Sequence, residues 1–209
     1  MRERWAQLCG RVGAFRSADE ADLTFETIRT LYSNPPRAYH DLRHIESCLK
    51  MFDEVRLLAD DKDAVEFAVW LHDSVYIAER PDNEERSADA AGMVAALLGC
   101  RPEFVQRVRE LIAVTRHHET PARGDPAVIS DIDLAILGSD PVEYEEYRRA
   151  IRDEFAFASD EQFRTGRIAF LERMLERRSI FATPYCQREY EWRARDNLES
   201  ELDRLRGGG

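Results

Sequence analysis

Apolar residues along this chain recur every three or four positions, so nearly every segment predicts a helix. The stripe Ile45, Cys48, Leu49, Phe52, Val55 predicts one from about Asp41 to Leu58. Over 63–76 the apolar positions (Ala64, Val65, Phe67, Ala68, Val69, Trp70, Leu71, Val75) run nearly all round, the mark of a central, buried helix. Earlier helices are predicted over Arg4–Val12 and Ala21–Tyr32, the second stopping before Pro35-Pro36. Asp82 with Glu85 three residues on reads as a capping box opening a helix that ends at Gly99. The next helix starts near Pro102 and carries Val105, Val108, Ile112 and Thr115 on one face. Asp125-Pro126 reads as an N-cap followed by proline at the first helical position, and that helix runs to Gly138. Asp140-Pro141 repeats the device for a helix to about Phe157, and two more fill 160–177 and 185–206. The expectation is an all-α, single-domain bundle of about nine helices over 1–206, with a disordered tail at 207–209. Periodicity leaves open whether the last two helices pack on the core or extend an oligomer interface.

Composition narrows the function classes. The 209 residues are 44% hydrophobic and 34% charged, as expected of a globular chain. Acidic residues outnumber basic ones 41 to 30, a formal charge of −11, which disfavours nucleic acid as a general partner. No apolar run suggests a membrane span or a signal peptide. Cys9, Cys48, Cys100 and Cys186 are scattered, with no CxxC pair, which fits reduced thiols in the cytoplasm and excludes a zinc ribbon.

The chemistry concentrates in five histidines: His40, His44, His72, His117 and His118. His44 shares the stripe of Cys48, Phe52 and Val55 and so points at least partly inward. His72 closes the most buried helix and is followed by Asp73, and Asp133 lies on an inward edge between Ile129 and Ile136. Two imidazoles and two carboxylates are thus aimed at the core from three helices. Burying two carboxylates without a cation is expensive, and one divalent metal removes that cost. Asp131 stands about 200° from Asp133 on a regular helix, so the two cannot both ligate one ion.

The order His44, His72-Asp73, Asp133 resembles the H…HD…D signature of the HD superfamily of metal-dependent phosphohydrolases. Tyr39-His40-Asp41-Leu42-Arg43-His44, Trp70-Leu71-His72-Asp73-Ser74-Val75-Tyr76, Asn83-Glu84-Glu85-Arg86-Ser87-Ala88, Thr115-Arg116-His117-His118 and Asp131-Ile132-Asp133-Leu134-Ala135-Ile136-Leu137-Gly138 together look like one bacterial branch of predicted HD phosphohydrolases. The likeness spans roughly residues 20–206 and is strongest over 37–138, the expected metal-site core, with the helices of 140–206 following it. One departure is Asp41, where relatives commonly carry asparagine after the first histidine. The resemblance implies an HD-type fold and selects Asp133, which precedes a leucine, over Asp131.

It also implies roles. The ligands would be His44, His72, Asp73 and Asp133, holding one divalent ion (Mn, Fe, Co, Ni or Zn, with Mg and a second metal open) that activates a water. His40 would be the general acid, by likeness to the Tyr-His-Asn segment of cyclic-nucleotide phosphodiesterases. Glu84 is a candidate base or partner of that water. His118 is a candidate phosphate contact or ligand of a second metal, and Arg43, Arg86 and Arg116 are candidate phosphate contacts. The expected activity is hydrolysis of a small phosphate ester or nucleotide, by a chain that can form a homo-oligomer. The alternatives are a di-iron oxygenase of the same fold and a non-catalytic nucleotide-sensing domain with a structural metal.

Overall fold

The computed structural model describes residues 1–13, 18–33, 37–116 and 123–207. Among them there is no strand. The helices are α1 (Arg2–Val12), α2 (Ala18–Leu31), α3 (Leu42–Val55), α4 (Lys62–Leu71), α5 (Asn83–Leu97), α6 (Pro102–Val114), α7 (Asp125–Leu134), α8 (Pro141–Glu154), α9 (Asp160–Leu175), α10 (Pro184–Glu189) and α11 (Glu191–Gly207). Short 3-10 turns, Arg56–Leu58 and Ala135–Gly138, extend α3 and α7. The protein is therefore all-α, with eleven α-helices among the described residues rather than about nine.

Helix α4 sits at the centre because it has no polar face to turn outward. From Ala64 to Leu71 every residue is buried, and α1, α3, α5, α6 and α7 all pack against it. Its one charged residue there, Glu66, is matched by Arg4 (2.6 Å) and Arg11 (2.7 Å) reaching from α1. A single hydrophobic cluster runs from Trp5 to Leu202, so the C-terminal helices belong to the same core.

That answers the question periodicity left open. Asn197 on α11 donates to the carbonyls of Leu137 (2.9 Å) and Ser139 (3.1 Å). Gly138 lets Tyr190 come so close that an added Cβ would stand 2.7 Å from the tyrosine Cβ. Deeper, Arg167 of α9 and Glu201 of α11 form a two-pronged ion pair at 2.8 and 3.0 Å, both side chains buried. Tyr144 donates to Glu201 (2.6 Å), and Arg167 donates to Tyr147 (3.1 Å).

Several helix ends differ from the sequence reading. The helix expected to reach 76 stops at Leu71, with His72 as its C-cap. Beyond it Ser87 ties down Val75, accepting from its N–H and donating to its carbonyl, which holds the chain in a turn. The Asp82/Glu85 capping box does not form: Asp82 accepts from Arg80 (2.7 Å) and Arg86 (2.8 Å) instead, and Glu85 is exposed. Asp125 is not the cap of α7. Gly124, at φ 71°, takes that place, and the buried Asp125 carboxylate accepts from the N–H groups of Asp60 (2.7 Å) and Asp61 (3.2 Å) ahead of α4. Asp140 does cap α8, which ends at Glu154 rather than Phe157. Pro35-Pro36 lie outside the described residues.

Arg37 joins the segments that carry the candidate site. One terminal nitrogen donates to the carbonyls of His40 (2.9 Å) and Asp73 (2.6 Å). The other donates to Leu31 (2.9 Å) and Ser74 (3.1 Å). We expect Arg37→Ala to leave these part-buried carbonyls without a donor and to lower stability by about 2 kcal/mol or more in urea denaturation. Arg37→Lys should recover little, because a point ammonium cannot reproduce the planar fork.

Candidate metal centre

The centre is assembled from three helix ends. Asp41 caps α3, accepting from the N–H of Arg43 (2.8 Å), and so fixes the first turn that carries His44. His72 and Asp73 follow the last residue of α4, and Asp133 lies in the last turn of α7. Their donor atoms converge. His44 Nε2 and His72 Nε2 are 3.2 Å apart. Asp133 Oδ1 is 3.4 Å from the first and 3.3 Å from the second. Asp73 Oδ2 is 3.5 and 3.2 Å from the same two atoms. Two donors each about 2.0–2.1 Å from one ion, at a tetrahedral angle, stand about 3.4 Å apart. The spacing therefore fits donors that share a metal.

Tautomers point the same way. His72 Nδ1 lies 2.9 Å from the carbonyl of Val69, which can only accept, so Nδ1 carries the hydrogen. A neutral His72 then turns the lone pair of Nε2 into the cluster, the usual arrangement of a metal-binding imidazole. Burial opposes charge on both rings, yet Asp73 and Asp133 pull His72 well above the ordinary imidazole range, and His44 is raised too by Cys48, Tyr39, Asp133 and Asp73. Burial also opposes charge on Asp73, but His72 and His44 outweigh it and hold the carboxyl well below its usual range. Two imidazolium rings with nitrogens 3.2 Å apart would repel each other. One divalent ion neutralises the same field without that repulsion.

Cys48 is the donor that sequence reasoning placed in the core stripe and overlooked as chemistry. It lies one turn after His44, with Sγ 3.6 Å from His44 Nε2. His44, Cys48, His72 and Asp133 form a grouping that can hold a metal ion. Its signal was in the sequence: His44 and Cys48 are four apart on one helix face. Asp131, the other aspartate of α7, turns away and accepts from the N–H groups of Ala182 and Thr183, both at 2.7 Å.

His40 stands beside the cluster, its ring centre 5.7 Å from that of His44. Its partner, Glu154, comes from the far end of the chain and was not foreseen. Glu154 Oε2 is 2.6 Å from His40 Nδ1, while Oε1 accepts from the N–H groups of Tyr39 and His40, both at 2.9 Å. Burial works against the carboxylate, but His40 and these N–H groups hold its pKa below the ordinary value. Tyr76 stacks on the imidazole at 4.0 Å. Carboxylate and stacked ring fix the tilt of His40, and Nδ1 is the nitrogen that Glu154 engages.

The cluster opens into a cleft of about 620 Å³, lined by His44, Cys48 and Asp133 and walled by Tyr39, Tyr147 and Tyr190. Clefts of roughly 300–1,000 Å³ take ligands of nucleotide size. Six carboxylates and three cations line it, so without a metal its field is negative. Glu143 is pushed up by burial and then by Asp140 and Glu146. Arg43 lines the cleft beside Asp41. His40, His72, Asp73, Glu84 and Arg86 are not among the lining residues: Arg86 pairs with Asp82 (2.8 Å), and Glu84 lies 3.8 Å from Arg116, which also donates to the Pro81 carbonyl. His117 and His118 lie outside the described residues. Among the described residues, no helix is long and apolar enough to cross a membrane. No protein-family model, curated protein or solved structure matches this chain.

Proposed function

We propose that this protein is a metal-dependent phosphohydrolase of the HD type, acting on a small phosphate ester or nucleotide in the cytoplasm. The observation that carries the reading is the convergence of His44, His72, Asp73 and Asp133 at metal-sharing distances, with His44 and Asp133 lining a ligand-sized cleft. His44, His72, Asp73 and Asp133 would hold a divalent ion, whose chemistry would be positive charge beside a phosphoryl oxygen and a lowered pKa for a water. The chain's own groups do the rest. His40, oriented by Glu154, gives a proton to the departing oxygen. Arg43 supplies a positive charge at the cleft wall, and the tyrosines exclude water from one side. Among the described residues one grouping, His44, Cys48, His72 and Asp133, can hold an ion, which favours one ion over a di-iron centre. The four free, buried cysteines suit a reducing compartment.

The test is protein purified without chelator, analysed for metals and assayed for phosphate release from esters and nucleotides with Mn, Co, Ni, Zn or Mg added. About one ion per chain with metal-dependent release is expected. Two irons per chain with oxygen uptake and no phosphate release would replace this reading by the oxygenase one. A metal that is retained while no substrate reacts would leave the structural role.

For Glu154→Gln we expect kcat to fall about tenfold or more with metal content unchanged, because general acid–base groups contribute roughly 10²–10⁴. Esters whose leaving group needs no proton, such as nitrophenols, should be spared. Equal loss on good and poor leaving groups would assign Glu154 to scaffolding.

A further inference from the structure

The ligand set implied by the HD resemblance contains nitrogen and oxygen only, yet a sulfur stands in this cluster. Cys48 Sγ is 3.6 Å from His44 Nε2 and 3.8 Å from Nδ1. Both side chains leave the same face of α3, one turn apart, and both are buried. That is the geometry by which a helix offers two donors to one ion, as paired histidines four apart do in zinc sites. Metal–sulfur and metal–nitrogen bonds of about 2.3 and 2.0–2.1 Å at a tetrahedral angle place the two donors about 3.6 Å apart. The distance to Nε2 has that length, while the near-equal distance to Nδ1 sets Sγ beside the ring, so ligation requires Sγ to turn towards the Nε2 lone pair; Sγ already lies within 4.8 Å of the donors of His72 and Asp133 as well. Cys48 also lines the cleft, as His44 and Asp133 do.

Resting on the metal centre proposed above, we infer that Cys48 is a ligand that decides which ion the site keeps. Thiolate is a soft donor and discriminates by ion class: it favours zinc, cobalt(II) and iron(II) and contributes little to magnesium or manganese. A site of two imidazoles and two carboxylates alone accepts all of these. Adding Cys48 converts a permissive site into a thiophilic one. Cys9, Cys100 and Cys186 are buried outside the grouping, so a sulfur signal from a bound ion identifies Cys48.

The experiment is titration of the full chain, stripped of metal, with cobalt(II). A near-ultraviolet thiolate-to-cobalt charge-transfer band is expected in the wild type and should be absent from Cys48→Ser. With zinc and manganese offered together, the wild type should retain zinc, and Cys48→Ser should shift the retained ratio towards manganese at least about tenfold. If the serine variant fails to fold, as judged by circular dichroism, the wild-type band decides alone, and Cys48→Ala serves for the competition. One cobalt bound with no charge-transfer band would overturn the role of Cys48 and leave the metal centre standing. No cobalt bound by the wild type would overturn both.

Discussion

Asp73→Ala should strip the metal and take phosphate release to background, the largest effect expected of any single change. Asp73 Oδ2 faces both imidazoles, which hold its carboxyl well below the usual range. Partners outside the ligand sphere cost 10–100-fold in affinity when lost, and a ligand should cost at least about 100-fold. Removing it also leaves His44 and His72 with Asp133 as their remaining carboxylate among these ligands. The variant should still fold, because the main chain at Asp73 is held by Arg37 rather than by the carboxylate. Elemental analysis and circular dichroism on the same sample separate the two outcomes. A folded Asp73→Ala that retains its ion would remove this aspartate from the ligand set.

Glu201→Ala should destabilise the protein by about 3–5 kcal/mol, since it leaves the Arg167 guanidinium buried and uncompensated. In a chain of this size that corresponds to a fall of roughly 6–20 °C in Tm. Tyr144 loses its acceptor at the same time. The effect should reach the site: Arg167 holds Tyr147, whose ring meets Tyr39 at 4.8 Å, and Tyr39 meets His44 at 4.9 Å. Replacing Arg167 and Glu201 together by apolar residues should recover much of the stability, because the charge is then removed rather than orphaned. A double variant no more stable than Glu201→Ala would count against the pair as the source of the loss.

Helices were legible where periodicity is strong. The all-round apolar run at 64–71 became the central helix, because a helix with no polar face must be surrounded. Helix ends were legible only in part. Asp82-x-x-Glu85 matched a capping box yet formed none, since two arginines compete for Asp82. The box that does form, Ser159 with Gln162, went unnoticed because it opens a weakly amphipathic helix. Asp125 had the composition of a cap but serves a backbone 64 and 65 residues away, which no local rule can see. The same limit applies to the candidate site. His44, His72, Asp73 and Asp133 were readable because histidine and aspartate on apolar helices are costly without a purpose. Glu154, 114 residues from His40, carried no local sign. Cys48 was hidden in plain view: a buried cysteine in a core stripe looks like any small apolar residue.

The Arg37 clamp has a consequence for how this protein can change over generations. It grips four main-chain carbonyls and leaves side-chain identity at those positions unspecified. Mutations at neighbouring positions can therefore alter the cleft wall without shifting the frame that aims His72 and Asp73. The cleft wall can vary while the geometry of the candidate site stays inherited. The same economy makes position 37 itself intolerant: a clamp written in backbone contacts has one author, and no neighbouring substitution can restore it.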